Sequence, residues 1–401
     1  MPKDQEASQA EFLSEETIRS NRERLLGLRE ILLADVVMAA EIPAPTGNEK
    51  LCTRFLSDRF RESGLNDIAT DQAGNIAGVI PGSEGRRNLL VAAHVDKIWP
   101  ESEDHTVSVE VGRMSGRGIA DNSLGVATLA ALPLILERLG ICLQSNLILL
   151  GTTRSFGRGD LGGMRFFLEN TERAIAAALC IEGMNIGRLS FSSLGMSRGE
   201  CLVEWDGQPS RTDLASSGAI RVIERFSDGL QKLAEAHAGE AEILQGSVRA
   251  GSDYGVPPRS GRLRFEVRSE RPKRVAEVEA EIAELAAELG REFEGVEVVV
   301  ETIARRNRGD LGASHPLVGA ARRAMLALGV EPKVAPSISE LAALLGHDIP
   351  ALTLGITRGG DRHTPTETIE LDPIFDGLAQ LVAVLQFMDA SGSEYGEGES
   401  T

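Results

Sequence analysis

The short segment L-L-V-A-A at residues 89–93 constrains the fold of this chain more than any other part of its sequence. It is an unbroken apolar run, and the polar residues His94 and Asp96 follow it. A strand with one face in water alternates apolar and polar residues, so an unbroken run is typical of a strand covered on both faces. Such strands belong to parallel sheets between layers of helices. The sequence therefore predicts an α/β protein.

Helical and strand patterns alternate on both sides of this segment, as in repeated βαβ units. We therefore predict a mostly parallel sheet with helices on both faces. The predicted helices cover residues 16–40, 49–63, 124–139, 315–328 and 373–389, and further strands cover residues 75–80, 146–151 and 351–355.

The order of the elements changes between residues 197 and 305, where the pattern is β-α-β-β-α-β. This order is the split βαβ, or ferredoxin-like, arrangement. We therefore predict an inserted domain at residues 197–305, which divides the α/β domain into residues 16–196 and 306–390. The polar terminal segments, residues 1–15 and 391–401, are predicted to be mobile tails.

Acidic residues outnumber basic residues by 60 to 42, and the formal net charge is −18 at pH 7. This charge repels phosphate backbones and anionic membrane surfaces, so we expect no nucleic acid and no membrane as a partner, but a small molecule. The apolar stretches are shorter than the roughly 20 residues of a membrane span. The acidic N-terminal residues include no apolar signal segment. We predict a cytoplasmic protein.

Polar side chains at the ends of predicted strands are candidates for a functional site. His94 lies at the carboxyl end of its strand, where α/β sheets bind ligands, and Asp96 is placed to orient its imidazole. The same two residues also suit a pair that stabilises a loop. Asp121 follows a glycine-rich turn just before a helix, and it suits either a metal site or an N-cap.

Three more polar residues extend this set. Glu182 ends another apolar strand, where it is either a rim residue in water or a ligand, and His363 follows a glycine pair four positions before Glu367. Together, imidazoles and carboxylates at strand ends match the nitrogen and oxygen ligands of zinc or manganese. The pattern therefore predicts a site for a divalent ion.

Five segments of the sequence carry a resemblance to one family. They are E-I-P-A-P-T-G-N-E, A-A-H-V-D-K-I-W-P, G-R-G-I-A-D-N-S-L-G-V-A, G-R-G-D-L-G-G-M-R and R-H-T-P-T-E, in this order. With the inserted domain, they resemble the di-zinc metallopeptidases that include glutamate carboxypeptidase, aminoacylase, succinyl-diaminopimelate desuccinylase and tripeptidase T. The resemblance implies a catalytic α/β domain and a ferredoxin-like lid through which the protein forms a homodimer. It implies a short peptide or small molecule as ligand.

The resemblance also implies roles for the candidate residues. His94, Asp121 and Glu182 would hold one metal ion, and Asp121 would bridge to a second ion that His363 also binds. Asp96 would orient His94, and Glu367 would contact the ligand-bearing segments without binding an ion itself.

Two motifs depart from the family's pattern. The family carries a Glu-Glu pair, a general base followed by a ligand of the second ion, where this chain has Ser155 and Phe156. Pro209 stands where the family has a lid histidine that binds the substrate's carbonyl group. Serine does not accept a proton at neutral pH, and a general base contributes about 10²- to 10⁴-fold to rate. We therefore expect a reduced site with one divalent ion and with Ser155 not competent as a base.

Lys97 and Arg154 add two positive charges near the altered motif. They are either surface residues, as Lys and Arg usually are, or replacements for the charge of the missing ion that also suit an anionic ligand. Two functions of different classes follow. The first is hydrolysis of a C–N bond in a peptide, an amide or an N-acyl amino acid. The second is a catalytically inactive homologue that acts as a binding or assembly module.

Overall fold

The computed structural model describes residues 11–206 and 218–391. The chain divides into two compact units, one formed by Met1–Ser192 with Asp310–Thr401 and the other by Ser193–Gly309. We call them the α/β unit and the inserted unit. The sequence-based limits of the insertion, residues 197–305, lie just inside the observed ones.

The α/β unit contains an eight-stranded sheet in the order β1-β2-β6-β3-β7-β14-β8-β13. Its four central strands, β6, β3, β7 and β14, are parallel to one another. The strands are β1 (Asn66–Thr70), β2 (Ile76–Ile80), β3 (Asn88–His94), β6 (Asn146–Thr152), β7 (Ile175–Met184), β8 (Arg188–Ser190), β13 (Lys333–Val334) and β14 (Ala351–Thr357). A small antiparallel sheet beside it consists of β4 (Ser108–Glu110), β5 (Arg113–Ser115), β15 (Gly359–Gly360) and β16 (Thr368–Glu370).

Helices cover both faces of the large sheet, which confirms the predicted fold class. The predicted helix at 16–40 is divided by a 3₁₀ turn at Leu26–Leu28. The helices of this unit are α1 (Glu15–Leu25), α2 (Arg29–Glu41), α3 (Lys50–Glu62), α4 (Leu124–Leu139), α5 (Gly162–Asn170), α8 (Pro316–Ala327), α9 (Leu341–Gly346) and α10 (Ile374–Ala390), while α6 and α7 belong to the inserted unit.

The apolar run in β3 is buried on both faces, as its composition predicts. Leu89 and Val91 join one hydrophobic core, and Leu90 and Ala92 join a second core on the opposite face. All four side chains are fully buried. Because successive side chains of a strand point to opposite faces, this strand needs apolar residues at every position.

The inserted unit has the predicted β-α-β-β-α-β order and a four-stranded antiparallel sheet, β10-β11-β9-β12. The side chains of both helices form one core with the sheet. The elements are β9 (Gly195–Trp205), α6 (Ala219–Ala236), β10 (Glu242–Ala250), β11 (Ser260–Ser269), α7 (Arg274–Glu292) and β12 (Val296–Arg306).

Both predicted tails include residues that pack onto the fold. Leu13 and Ser391 are buried, and Ser14 caps α1 by accepting a hydrogen bond from the Thr17 N–H. Among the described residues, the helical stretch Ile119–Leu139 is long and apolar enough to span a membrane, and 89% of its most apolar window is buried inside the protein. It is a core helix of the α/β unit.

Candidate metal centre

Three predicted ligands meet at the carboxyl edge of the large sheet. His94 ends β3 and Glu182 lies near the end of the neighbouring strand β7. Asp121 reaches the same place from the turn before α4, and the ligand atoms of the three side chains lie within 4.8 Å of one another. All three side chains are buried. The structure therefore brings together the first metal set predicted from the sequence.

The turn that carries Asp121 is fixed to β7 by its neighbour in the chain. The Asn122 amide donates to the carbonyl of Ile181 at 2.8 Å and accepts from the N–H of Gly183 at 2.8 Å. These two backbone groups flank Glu182, so one side chain aligns two ligands. The alternative role of Asp121 as an N-cap is not observed, because no side-chain hydrogen bond caps α4.

Glu367 fixes the same turn from the opposite side. One carboxylate oxygen accepts the N–H groups of Ala120 and Asp121, both at 2.7 Å, and the other accepts the N–H of His363 at 3.0 Å. The side chain is fully buried. Glu367 therefore joins the two loops that carry Asp121 and His363, as the supporting role predicted for it requires.

Asp121 bridges the two histidines. Its Oδ1 lies 3.0 Å from His94 Nε2, and its Oδ2 lies 2.7 Å from His363 Nε2. An ion with tetrahedral bonds of 2.0–2.1 Å separates neighbouring ligand atoms by about 3.3 Å. The spacing of His94 and Asp121 therefore fits a shared ion, with Glu182 as the third protein ligand.

Asp96 orients His94 and also holds the altered loop. His94 Nδ1 lies 3.1 Å from the Asp96 carbonyl oxygen and 3.6 Å from its carboxylate, so Nε2 faces the ligand cluster. The other carboxylate oxygen accepts hydrogen bonds from Thr46 Oγ1 and from the N–H groups of Ser155 and Phe156. Such contacts set the direction and basicity of a metal-binding imidazole.

The ligand cluster has strongly coupled charges. Burial on its own lowers the pKa of His94, but hydrogen bonds to Asp121 and Asp96 raise that pKa well above its usual value. Burial raises the pKa of Asp121, yet hydrogen bonds from His363 and His94 hold it well below its usual value. Burial and then the Asp121 charge raise the pKa of Glu182. Protons thus compete with a cation for this site.

A cation that the sequence analysis overlooked lies in the cluster. Arg362 Nε and Nη2 lie 2.8 Å and 2.7 Å from Asp121 Oδ2, and Nη2 lies 3.9 Å from a Glu182 oxygen. Arg362 directly precedes the predicted ligand His363 in the sequence, and this position could have indicated that its charge lies at the site.

Lys97 is neither the surface residue nor the replacement charge that the sequence left open for it. Its buried ammonium donates to the carbonyls of Ala39, Ala40 and Ile42 at 2.7–2.8 Å, so it closes the C-terminal end of α2. Arg154 is exposed, and its backbone N–H donates to Glu49. Arg362 therefore occupies the position beside the ligands that the sequence analysis considered for these two residues.

The two altered positions lie at the site. The Phe156 ring packs edge-on against the rings of His94 and His363, with centroids 5.0 and 6.2 Å apart. Ser155 is buried, and its hydroxyl donates to Glu340 Oε1 at 2.5 Å. Glu340 was not among the predicted site residues, although an acidic residue in the apolar segment at 334–345 was a visible signal. Pro209 lies outside the described residues.

The fold and the donor set define a metal-binding hydrolase of the α/β class with an inserted ferredoxin-like unit. Residues 90–386 match the sequence model of peptidase family M20/M25/M40. The chain belongs to this family, which is the family that the sequence motifs indicated.

Solved structures share the fold at low sequence identity. The di-peptidase Dug1p of Saccharomyces cerevisiae is 13% identical, with a TM-score of 0.78 over 94% of this chain and 100% of that one. Human carnosine dipeptidase 1 is 11% identical, with a TM-score of 0.75 over 93% and 99%. The YXEP protein of Bacillus subtilis, described as a dinuclear metal binding peptidase, is 16% identical, with a TM-score of 0.59 over 91% and 97%.

Proposed function

We propose that this protein hydrolyses a C–N bond in a short peptide, an amide or an N-acyl amino acid, with one divalent ion held by His94, Asp121 and Glu182. The observation that carries this proposal is the three buried ligand atoms within 4.8 Å of one another at the strand ends. Membership of the peptidase family supports it, and two similar structures are named as dipeptidases.

The surroundings of Asp121 favour one ion over two. Within the part of the chain that the structure describes, a second ion would have Asp121 and His363 as its protein ligands, because Phe156 offers no donor atom. Zinc usually takes three or four ligands. The guanidinium of Arg362 already contacts the Asp121 oxygen that faces His363. At about 4 Å, repulsion between this charge and a divalent ion amounts to several kcal/mol.

The residues of the chain then have distinct tasks. The ion, when bound, polarises the substrate carbonyl and lowers the pKa of water. Asp96 keeps His94 in the orientation that presents Nε2, and Arg362 balances the buried charges of Asp121 and Glu182. The Phe156 ring excludes water from the space between the two imidazoles.

Metal analysis after dialysis, with calorimetric titration of zinc, tests the one-ion proposal. We expect one tight equivalent in the wild type and none in His94→Ala. The double variant Phe156→Glu, Arg362→Ala should gain a second equivalent, because it adds a ligand and removes a charge. Arg358→Ala, which changes a more exposed arginine nearby, is the control. Two tight equivalents in the wild type would contradict the proposal.

A catalytically inactive binding or assembly module is the second candidate function. Ser155 and Phe156 favour it, because they occupy the positions of the family's base and second ligand. A panel of dipeptides and N-acetyl amino acids, tested with the zinc-loaded and manganese-loaded protein, separates the two functions. Turnover that His94→Ala abolishes supports the hydrolase, whereas tight ion binding without any turnover supports the module.

A further inference from the structure

Glu340 is a buried carboxylate beside the metal centre that none of the roles described above uses. It lies directly before α9, and its side chain is 3% exposed. Its Oε1 accepts the Ser155 hydroxyl at 2.5 Å and lies 3.4 Å from the Thr152 hydroxyl. A buried carboxylate is costly unless its partners are well placed. The hydroxyl groups of Ser155 and Thr152 are therefore the partners that make the burial of this carboxylate possible.

The contacts of Ser155 connect Glu340 to the ligand cluster. Thr152 is the register partner of His94 in the neighbouring strand. The Ser155 N–H binds the Asp96 carboxylate that lies beside His94. The next residue, Phe156, packs its ring on the His94 imidazole. Ser155 and Glu340 thus lie on the His94 side of the site, where the family's base is expected from the motif.

We propose that Ser155 and Glu340 together transfer the proton in C–N hydrolysis, with Ser155 as the group that meets the reacting water and Glu340 as the carboxylate behind it. The proposal rests on the proposed function. It explains how the site loses the family's base and keeps a carboxylate, since a hydroxyl that donates to a carboxylate can accept one proton as it passes on another.

The steps balance without any further reactant. Water transfers a proton to Ser155 Oγ while the Ser155 hydroxyl proton moves to Glu340 Oε1, and the water oxygen forms the new bond to the carbonyl carbon. The proton then returns through Ser155 to the amide nitrogen as the C–N bond breaks. The net reaction is the addition of one water across that bond, and both side chains regain their starting states.

Proton release on binding of acetohydroxamate to the zinc-loaded protein provides a test that needs no substrate. This acid loses its N–OH proton when it binds zinc. In the wild type we expect Glu340 to take up that proton through Ser155. Calorimetry in two buffers of different ionisation enthalpy counts the protons that reach the solvent. We expect Glu340→Gln and Ser155→Ala each to release about one proton more than the wild type.

Thr152→Val is the matched control, because it removes the other hydroxyl near Glu340 and should leave the proton count unchanged. Equal proton release in the wild type, Glu340→Gln and Ser155→Ala would overturn the proposal and leave the proposed function standing. If acetohydroxamate does not bind the zinc-loaded wild type, the proposed function and this proposal both fail. Ser155→Ala keeps the test decisive if Glu340→Gln does not fold.

A substrate found in the panel allows a kinetic test as well. Glu340→Gln should then lower kcat by about 10²- to 10⁴-fold with little change in KM. Zinc affinity should stay at the wild-type value, because Glu340 is not a ligand. A change in zinc affinity or KM with an unaltered kcat would indicate a purely structural role and refute the proposal.

Discussion

Replacing Lys97 with methionine should change how the stability of the protein depends on pH. Lys97 is 1% exposed, and burial lowers the pKa of its ammonium from 10.5 to about 8. Methionine has a similar shape and no charge. The comparison therefore removes the titration of one buried group and keeps most of its packing.

The size of the effect follows from the pKa difference between the folded and the unfolded chain. A shift from 10.5 to about 8 corresponds to about 3 kcal/mol. Between these two pH values the unfolded chain binds more protons than the folded chain, so the free energy of unfolding rises with pH. Below pH 8 the full cost of the buried charge is present, and above pH 10.5 it is absent.

Urea unfolding of the metal-free protein at steps from pH 7.5 to pH 10.5 measures this difference. Between pH 7.5 and pH 10.5, the free energy of unfolding of the wild type should rise by about 3 kcal/mol relative to that of Lys97→Met. Lys50→Met, which changes an exposed lysine, should run parallel to the wild type. If the unfolding free energies of Lys97→Met and the wild type change in parallel with pH, the reasoning is refuted.

Three further predictions concern the site and the assembly. Glu367→Gln should weaken zinc binding about 10- to 100-fold in calorimetry. Glutamine has one acceptor oxygen, whereas the carboxylate of Glu367 uses two oxygens to hold the loops. The matched change of an exposed residue, Glu370→Gln, should leave zinc binding unchanged. Zinc affinity should keep rising with pH above the usual pKa of histidine, since the raised pKa of His94 extends proton competition; an affinity that levels off near pH 6.5 would count against this. Light scattering should give a homodimer, as the family resemblance implies for the inserted unit, and a monomer at micromolar concentration would contradict this expectation.

The fold was predictable because its strongest signals are local. The apolar run at residues 89–93 predicts a covered strand, and the strand–helix order at 197–305 predicts the ferredoxin-like arrangement of β9 to β12. The first metal set was predictable for the same reason, since His94 and Glu182 end apolar strands. Strand ends in a parallel sheet meet at one edge, and no long-range information is needed to place them together.

The remaining features of the site depend on contacts between distant parts of the chain. Arg362 pairs with Asp121 across 241 positions, and Glu340 binds Ser155 across 185. Neither contact leaves a periodic pattern in the sequence. Lys97 illustrates the opposite error, because its position after His94 suggested a role at the site. Its side chain instead points to the end of α2, a direction that spacing along the chain does not encode.

The insertion of one unit within the other has a consequence for the order in which the chain is made. Ser192 and Asp310 form a β-bridge, and the Ser193 N–H donates to the Gly309 carbonyl, so the inserted unit leaves and rejoins the chain at one point. The strand β14 lies between β7 and β8 in the large sheet, although it is synthesised after the whole insertion.

During synthesis on the ribosome, Ser193–Gly309 is therefore complete while the large sheet still lacks a central strand. His94, Asp121 and Glu182 are already present at that stage, but Arg362 and Glu367 are not. A nascent chain arrested before β14 would contain the three ion ligands without Glu367, which holds the Asp121 turn, and without Arg362, which offsets the Asp121 charge. The last quarter of translation completes the site.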